Sequence, residues 1–303
     1  MPELPETETI ARDLDAALRG ARIRTITVLR GDVVRGLRPI TPDAMRRITR
    51  PILGVSRRAK SIVIALDGAA RIVVTPRFTG ALLLRGAGDA ADTARATSGP
   101  ESAINVASTP QRPANAPPPP LPYCCVQFRL SDARLLEYVD VRRLGTLELM
   151  PDGRYAAWDA SLGPEPLDPA LTPERFSGIL RGSSRAVKSV LMDQKRLAGV
   201  GNIYANEALW RAGIRPSRRA SAITRAAAAG LLESLREILR ASIALRGTTF
   251  RDFQDAYGGR GGYAKELKVY GRGGEACVRC GATLQETHKL EGRSTVWCRS
   301  CQK

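Results

Sequence analysis

The pairs Cys277-Val278-Arg279-Cys280 and Cys298-Arg299-Ser300-Cys301 decide how the end of this 303-residue chain folds. Two Cys-x2-Cys pairs with 17 residues between them are typical of a tetrahedral structural zinc site. A strand–turn–strand, near 283–288 and 294–297, brings the pairs together. The zinc replaces a hydrophobic core that about 30 residues cannot supply. Because four thiolates complete the coordination, the site leaves no open position for catalysis.

The remaining cysteines and the single histidine fit this picture as ordinary residues. Cys124 and Cys125 lie in a predicted strand, and we interpret them as strand thiols. His288 falls in the predicted hairpin. It is a spare ligand at most, because the four-cysteine set is already complete.

A glycine-rich turn lies upstream, in the stretch 194–207. Gly199 and Gly201 precede a predicted helix with Asn202 as its N-cap. Such a turn exposes backbone N–H groups at the positive end of a helix, which suits a phosphate. Lys195 and Arg196 add positive charge. A plain packing corner between two helices is the alternative interpretation.

The chain opens with Met1-Pro2-Glu3-Leu4-Pro5-Glu6. Trimming of Met1 would expose the secondary α-amine of Pro2, a group that titrates near ~7.7–8. This amine can attack an anomeric carbon and form an iminium ion. Glu3 and Glu6 stand where they could protonate a leaving group or shuttle protons. The alternative is an acidic lead-in to a helix, with Pro5 at its first position.

The composition indicates a nucleic-acid partner. Lys and Arg number 47 against 30 Asp and Glu, giving a formal charge of +17, and a surplus this large points to a polyanion. A basic proteome with solvated arginines is the alternative. No apolar run of about 18 residues exists, so no membrane span is expected. The N-terminus lacks the pattern of a secretory signal, so we expect a cytosolic protein.

The pattern along the chain predicts a β-rich first part and a helical second part. Residues 5–19 read as a helix with one apolar stripe, and 21–86 and 124–150 read as short strands. Residues 86–122, rich in Ala, Pro and Ser, read as a disordered insertion. Further helices are predicted at 173–181, 184–193, 202–212 and 222–245.

Three basic residues stand in structured contexts. Lys60 begins a strand, Arg142 follows Asp140, and Arg293 lies at the shoulder of the zinc hairpin. Taken singly, each is more often a solvated surface charge.

Together these features resemble one family, the formamidopyrimidine-DNA glycosylase and endonuclease VIII superfamily of base-excision repair. The matching stretches, in family order, are Pro2–Glu6, Arg57–Lys60, Asp140–Gly145, Gly199–Glu207, Gly247–Phe253 with Tyr263–Tyr270, and Cys277–Gln302. The resemblance implies an α+β multidomain fold. It consists of an N-terminal helix and β-sandwich lobe at 1–150, a helix-two-turns-helix domain at 151–270, and a zinc finger at 271–303.

The resemblance also implies a chemistry, on damaged double-stranded DNA held between the lobes. The damaged base is flipped out of the duplex, and Pro2 attacks the anomeric carbon of its sugar. Glu3 protonates the ring oxygen of the sugar, and Glu6 positions or relays protons. Lys60, which we count with the catalytic set, binds phosphates around the flipped nucleotide. The resemblance gives the same phosphate contact to Asn202 and Arg293, with Lys195 and Arg142 as further DNA contacts.

Two apolar residues depart from the family pattern. Phe78 stands where the family usually has a methionine that fills the void left by the flipped base. Leu144 stands where the family usually has an intercalating phenylalanine. Apolar wedges of either kind can unstack a base step, so these changes bear on lesion and opposite-base preference.

The implied function is a bifunctional glycosylase and abasic-site lyase for oxidised purines, acting through β,δ-elimination. Activity on oxidised pyrimidines is one alternative, and the loop 257–263 is where that difference would lie. A noncatalytic binder of damaged DNA is another. One structural zinc, a monomeric state and a place in the bacterial cytoplasm or nucleoid complete the expectation.

Overall fold

The computed structural model describes residues 2–36, 41–86, 119–249 and 253–303. Met1, residues 87–118 of the predicted insertion 86–122, and residues 250–252 of the stretch 247–253 lie outside the described residues. Among the residues described, no helix is long and apolar enough to cross a membrane.

Helix α1 (Leu4–Leu18) joins two separate cores. Its first residue, Leu4, is buried among the helices of the second half of the chain. Ile10, Leu14 and Leu18 are buried in the core of the first half. The predicted apolar stripe is therefore confirmed, and the helix begins one residue before the expected position at Pro5.

The first lobe is built from nine strands within the described ranges. They are β1 (Ile23–Val28), β2 (Val34–Arg35), β3 (Ile52–Arg58), β4 (Ser61–Leu66), β5 (Ala70–Thr75), β6 (Gly80–Arg85), β7 (Cys124–Leu130), β8 (Leu135–Asp140) and β9 (Thr146–Pro151). One sheet has the order β1-β7-β8-β6 and the other β2-β9-β5-β4-β3. A single hydrophobic cluster takes residues from both sheets and from α1, as expected for two sheets packed face to face.

Two helices of the first 160 residues were absent from the prediction. Helix α2 (Pro42–Ile48) follows an N-cap at Thr41, whose hydroxyl accepts the N–H of Ala44 at 3.1 Å. Helix α3 (Asp152–Ala160) has no fully buried residue. The uniform β interpretation of 21–86 was wrong at α2, because a cap followed by proline resembles a turn between strands.

The second lobe is helical. It contains α4 (Pro173–Arg181), α5 (Val187–Met192), α6 (Asn202–Arg211) and α7 (Arg225–Ala244). Thr172 and Thr224 cap α4 and α7 through their hydroxyls. The buried faces of α4, α6 and α7 meet in one cluster. All four helices were predicted; the bounds of α4 agree with the prediction, and no end of the other three differs by more than three residues.

The chain ends in a small antiparallel hairpin, β10 (Leu284–Thr287) and β11 (Thr295–Cys298). Its side chains form a minor cluster with Trp210 of α6. Asn206 of α6 accepts the N–H of Val296 at 3.0 Å, which fixes the hairpin to the helical lobe. The predicted α+β class, with a helix and β-sandwich lobe, a helical region and a four-cysteine hairpin, is confirmed.

Candidate active site at the junction of the two lobes

The N-terminal segment is held against the glycine-rich turn. The backbone N–H of Leu4 donates to the carbonyl of Gly199 at 3.0 Å. Gly199 has a φ of +88°, and a Cβ at this position would stand 2.8 Å from Leu4 Cδ1. Both observations require glycine. Pro2 is consequently buried at the point where the two cores meet.

The buried carboxylate of Glu3 occupies the N-terminus of α6. It accepts the backbone N–H groups of Ile203 and Tyr204, at 3.0 Å and 3.5 Å. The prediction of Asn202 as the N-cap is wrong, because Gly201 holds that position and the carboxylate of Glu3, the residue before α1, replaces a capping side chain. The backbone N–H groups that were expected to bind a phosphate donate to the Glu3 carboxylate instead. The N-terminus of a helix is a favourable place for this negative charge.

Lys60 and Glu3 meet at Gly201. A Cβ on Gly201 would stand 2.6 Å from Lys60 Nζ and would overlap the carboxyl group of Glu3. Lys60 lies in the tight turn between β3 and β4, after Ala59 with a φ of +53°. Burial lowers the pKa of Lys60, and the negative charge of Glu3 opposes that shift. The turn therefore places the ammonium group of Lys60 next to the carboxylate of Glu3.

The neighbouring arginines have another role. Arg57 pairs with Glu8 of α1 at 2.9 Å and with Glu165 at 2.7 Å. Arg58 pairs with Glu165 at 2.9 Å. Because Glu165 lies on the segment that leads into the helical lobe, these ion pairs join the Lys60 turn to both lobes. Of Arg57, Arg58 and Lys60, only Lys60 lines the cleft.

Glu6 lies behind this group, in a buried hydrogen-bond network. One carboxylate oxygen accepts the N–H of Glu3 at 2.8 Å. The other accepts the Tyr204 hydroxyl at 2.5 Å and the N–H of Thr248 at 2.7 Å. Burial raises the pKa of Glu6, and the charge of Glu3 raises it further, whereas the hydrogen bonds lower it. Glu6 therefore holds a proton more readily than a carboxyl group in water.

Arg293 is positioned through its neighbour in sequence. Asn202 Nδ2 donates to the carbonyl of Ser294 at 3.0 Å. Lys188 of α5 is almost fully buried, and its ammonium donates to the same carbonyl at 2.9 Å and to Thr295 Oγ1 at 2.7 Å. Two helices thus hold the shoulder of the hairpin, and Arg293 points into the cleft.

The cleft has a volume of about 440 Å³. Pro2, Lys60 and Arg293 line it, together with Gly201. Lys195 is exposed and does not line the cleft. Of the predicted site residues, the structure therefore gathers a secondary amine, an ammonium group and a guanidinium around one cavity, with Glu3 adjoining and Glu6 behind.

Phe78, Arg142 and Leu144 form a separate group. Asp140 links the two loops that carry them. Its carboxylate accepts the Thr79 hydroxyl at 2.6 Å and the N–H groups of Arg142 and Gly145, at 3.2 Å and 2.8 Å.

These loops present an apolar and cationic surface. The guanidinium carbon of Arg142 lies 5.3 Å from the centre of the Phe78 ring, within cation–π range. Leu144 is 42% exposed, so much of its side chain is open to a partner. Phe78 and Leu144 are therefore on neighbouring loops that Asp140 joins through hydrogen bonds.

The four C-terminal cysteines are close together. Their sulfur atoms all lie within 4.8 Å of one another, and those of Cys280 and Cys298 are 3.4 Å apart. With metal–sulfur bonds of about 2.3 Å, tetrahedral zinc needs this kind of spacing. The donor set fits one metal ion.

Two groups of residues in this region were not predicted from the sequence. Lys188 and Tyr204 carry no local signal, because their partners are more than 30 residues away in sequence. The cleft wall from β9 and α3, which includes Glu148, Met150 and Trp158, was also missed. Its signal was the alternation of polar and apolar residues along β9.

Comparisons with known proteins agree along the whole chain. Residues 1–147 match the family model described as the formamidopyrimidine-DNA glycosylase N-terminal domain. Residues 162–254 match the formamidopyrimidine-DNA glycosylase H2TH domain. Formamidopyrimidine-DNA glycosylase of Roseiflexus sp. is 37% identical over 305 residues, covering 100% of both chains. That of Xanthomonas campestris is 37% identical over 308 residues, with 100% of both covered.

Solved structures give the same result. MutM (Fpg) of Thermus thermophilus is 32% identical with a TM-score of 0.80, covering 99% of this chain and 98% of that one. Lactococcus lactis Fpg, in complex with DNA that contains N7-benzyl-Fapy-dG, is 29% identical with a TM-score of 0.80 over 100% of both chains. With relatives this similar over its full length, the chain belongs to the formamidopyrimidine-DNA glycosylase family.

Proposed function

We propose that the protein is a DNA glycosylase of base-excision repair with abasic-site lyase activity, and that it removes oxidised purines such as 8-oxoguanine and formamidopyrimidines. One observation carries the proposal: Pro2, Lys60 and Arg293 line one cleft, and the Glu3 carboxylate adjoins it. An N-terminal secondary amine beside a carboxylate and two cations suits attack on a phosphate-bound sugar. A protein that only binds DNA has no need of that arrangement.

The reaction begins at the anomeric carbon of the flipped nucleotide. The Pro2 nitrogen forms a bond to C1′, and the N-glycosidic bond breaks with its electron pair leaving on the base, which takes up a proton. Glu3 donates a proton to the ring oxygen O4′, so that the C1′–O4′ bond opens and an iminium ion remains. The proton that Pro2 releases passes to a carboxylate or to water.

Strand cleavage follows from the iminium ion. It acidifies C2′, and loss of a C2′ proton breaks the bond from C3′ to its phosphate oxygen by β-elimination. A second elimination breaks the C5′–oxygen bond, and hydrolysis of the iminium ion returns the amine. Glu6, whose pKa burial raises, holds and relays protons through Glu3 rather than meeting the sugar itself.

Binding depends on phosphate contacts. We assign Lys60, Asn202 and Arg293 to phosphates around the reacting nucleotide, and Lys195 and Arg142 to the flanking duplex. Contacts of this kind position DNA without reading its sequence. A formal charge of +17 supports strong, salt-dependent binding to damaged duplex DNA. The apolar side chains of Phe78 and Leu144 enter the base stack.

We also propose that one chain acts alone in the bacterial cytoplasm or nucleoid, since both lobes of the cleft belong to one chain. The units 1–150, 151–270 and 271–303 correspond to the catalytic lobe, the helix-two-turns-helix domain and the finger. Cys277, Cys280, Cys298 and Cys301 hold one structural zinc. The expected zinc content is one atom per chain, lost in Cys298→Ser and kept in Cys124→Ala; a content unchanged in Cys298→Ser contradicts this assignment.

Borohydride trapping tests the proposal. Protein whose mass confirms that it starts at Pro2 is incubated with duplexes carrying 8-oxoguanine opposite cytosine or an abasic site, with Pro2→Gly as control. Covalent adducts on both duplexes that fall sharply in the variant are expected. An adduct on the abasic duplex alone would support the lyase activity but contradict the assignment to oxidised purines. Duplexes that carry oxidised pyrimidines would then be tested. No adduct on either leaves a noncatalytic binder of damaged DNA.

A further inference from the structure

The chain that leaves α7 is bound to α1 at two points. The Glu6 carboxylate accepts the N–H of Thr248 at 2.7 Å. Asp13 accepts a hydrogen bond from the guanidinium of Arg246 at 2.6 Å. Glu6 and Asp13 are two helical turns apart and lie on the same face of α1. Residues 246–248 therefore run along the face of α1 that carries Glu6.

The backbone of this short connection is constrained. Arg246 has a φ of +62°, a left-handed conformation that residues with a Cβ rarely adopt. Gly247 follows with a φ of +86°, and a Cβ there would stand 3.1 Å from Glu6 Cγ. A glycine would adopt the conformation at position 246 without strain. An arginine at this position therefore needs side-chain interactions that offset the backbone cost.

Arg246 has such interactions on two sides. Besides Asp13, its guanidinium binds the carboxylate of Asp255, through Nε at 3.1 Å and through Nη2 at 2.6 Å. Only 11% of the Asp13 side chain and 8% of the Asp255 side chain are exposed. Charge-assisted hydrogen bonds of this kind are stronger than neutral ones, and burial protects them from screening by salt. One side chain thus joins α1 to the segment that contains Asp255.

The segment that contains Asp255 is anchored in the first lobe. The carbonyl of Ala256 accepts the N–H of Leu84 in β6 at 2.8 Å. Phe253 and Ala256 are buried in the core of that lobe. Because Asp255 lies between them in sequence, it is fixed relative to the sandwich, and the guanidinium of Arg246 is fixed with it.

We propose that Arg246 is a positioning residue for Glu6 in base release. By binding Asp13 and Asp255 together, it fixes the chain at 246–248 against α1. The N–H of Thr248 consequently stays on the Glu6 carboxylate. The inference rests on the proposed function, in which Glu6 relays protons. Arg246 does not line the cleft, so it acts through the chain and not on the DNA.

The N–H of Thr248 is one of several groups that act on Glu6. Burial and the charge of Glu3 raise the pKa of Glu6. Hydrogen bonds from the Tyr204 hydroxyl and from the N–H groups of Thr248 and Glu3 lower it, and the ammonium of Lys60 interacts with the same carboxylate. Tyr204 also binds the Thr248 hydroxyl at 2.8 Å, but the chain at 246 and 247 sets the direction of the N–H. Loss of that N–H therefore raises the pKa of Glu6 further.

Single-turnover kinetics over a range of pH, on a duplex with 8-oxoguanine opposite cytosine, test the inference. Arg246→Met removes the guanidinium, and Arg246→Gly removes it together with the backbone strain. Both variants should move the acid limb of the base-excision profile to higher pH, because Glu6 then takes up its proton earlier as the pH falls. A loss of about tenfold on that limb is expected from one hydrogen bond to a charged group, with the rate at high pH unchanged.

Two further variants separate this role from general packing. Asp13→Asn keeps the shape of the side chain but removes its charge, so a shift of the acid limb in the same direction is expected. Arg134→Met is the matched control. Arg134 also binds α1, through the carbonyl of Ala17 at 2.8 Å, but it has no hydrogen bond to residues 246–248. The acid limb of Arg134→Met should be that of the wild type.

An unchanged acid limb in Arg246→Gly and Asp13→Asn would overturn the inference, as would an equal shift in Arg134→Met. A rate that falls by the same factor at every pH would mean that Arg246 has only a structural role. Thermal unfolding shows which variants are folded, and Asp13→Asn decides if neither Arg246 variant is.

Borohydride trapping on abasic DNA judges the proposed function separately. If the wild-type protein is trapped and the acid limb does not shift, only the role of Arg246 is removed. If the wild-type protein is not trapped, the proposed function itself fails.

Discussion

The carboxylate of Glu3 accepts the backbone N–H of Ile203 at 3.0 Å, across 200 residues of sequence. The residue that immediately precedes α1 thus caps the N-terminus of α6. Glu3 is held by a helix N-terminus, beside Lys60 and in front of Glu6. The arrangement of the whole site depends on this contact and on the missing side chain at Gly201.

Gly201→Ala should disable the enzyme with a modest loss of stability. Its methyl group would stand 2.6 Å from Lys60 Nζ and would overlap Glu3, so both groups must move. A displacement of about 1 Å is expected to cost about 100-fold in single-turnover rate. Gly178→Ala in α4 is the matched control, because nothing lies within 4 Å of its Cβ. Equal rates for the two variants would contradict the argument.

Tyr204→Phe should shift the pH dependence of the reaction. The Tyr204 hydroxyl is one of the groups that lower the pKa of Glu6 against the effect of burial. Without it the pKa of Glu6 rises further, so the acid limb of the single-turnover pH profile moves to higher pH. About a tenfold loss of rate on that limb is expected from one charged hydrogen bond.

Tyr138→Phe is the control for this change. Tyr138 is also a buried tyrosine, but it donates to Asp140 at 3.2 Å and is not a partner of Glu6. The acid limb of the single-turnover pH profile should therefore be the same in Tyr138→Phe as in the wild type. If both variants shift the limb equally, Tyr204 does not act through Glu6.

Lys188→Met should remove a pH-dependent part of the stability. Burial lowers the pKa of Lys188 to about 7 from 10.5, so the folded state binds this proton less tightly than the unfolded state. Its stabilising contribution is present above pH 10.5 and is lost as the pH falls toward 7. Relative to the Lys188→Met variant, the wild type should gain about 1 kcal/mol or more in free energy of unfolding between about pH 7 and 9.5.

Urea unfolding at the two pH values measures this difference. A constant gap between the proteins would mean that the Lys188 proton is not linked to folding. Lys188→Arg provides a second control, because a guanidinium remains charged throughout this range. It should show no gain with pH.

Phe78→Ala should weaken binding to DNA with an abasic analogue by about tenfold, as expected when one apolar wedge is removed. The substitution also removes the cation–π contact of the Arg142 guanidinium, which lies 5.3 Å from the centre of the Phe78 ring. Leu53→Ala is the control, because Leu53 is 54% exposed on β3 outside these loops. Fluorescence anisotropy at fixed salt gives both affinities, and equal values would remove Phe78 from the interface.

Most of the secondary structure could be read from the sequence. Strands β4 and β7 begin and end where the apolar runs do, and α4 begins at the predicted residue 173, after the cap at Thr172. Helix α2 could not be predicted in the same way. Its seven residues are too few to show a helical pattern of apolar residues, and the segments on both sides have strand-like sequences. The prediction of Asn202 as the N-cap of α6 is wrong, because no neighbouring residue indicates that the carboxylate of Glu3, about 200 residues earlier, fills that place.

The sequence by itself determined the chemistry available to this protein: an N-terminal proline followed by two carboxylates, a glycine-rich helix start, four cysteines at ligand spacing and a large positive charge. These properties depend only on which residue types are present and on their spacing along the chain. Only the tertiary structure decided which groups meet. Lys60 joins Glu3 through the absence of a side chain at Gly201, Lys188 supports Arg293 through Ser294, and β9 opens a sheet face beside Pro2. Such contacts join residues far apart in sequence, and packing of whole elements alone sets their distances.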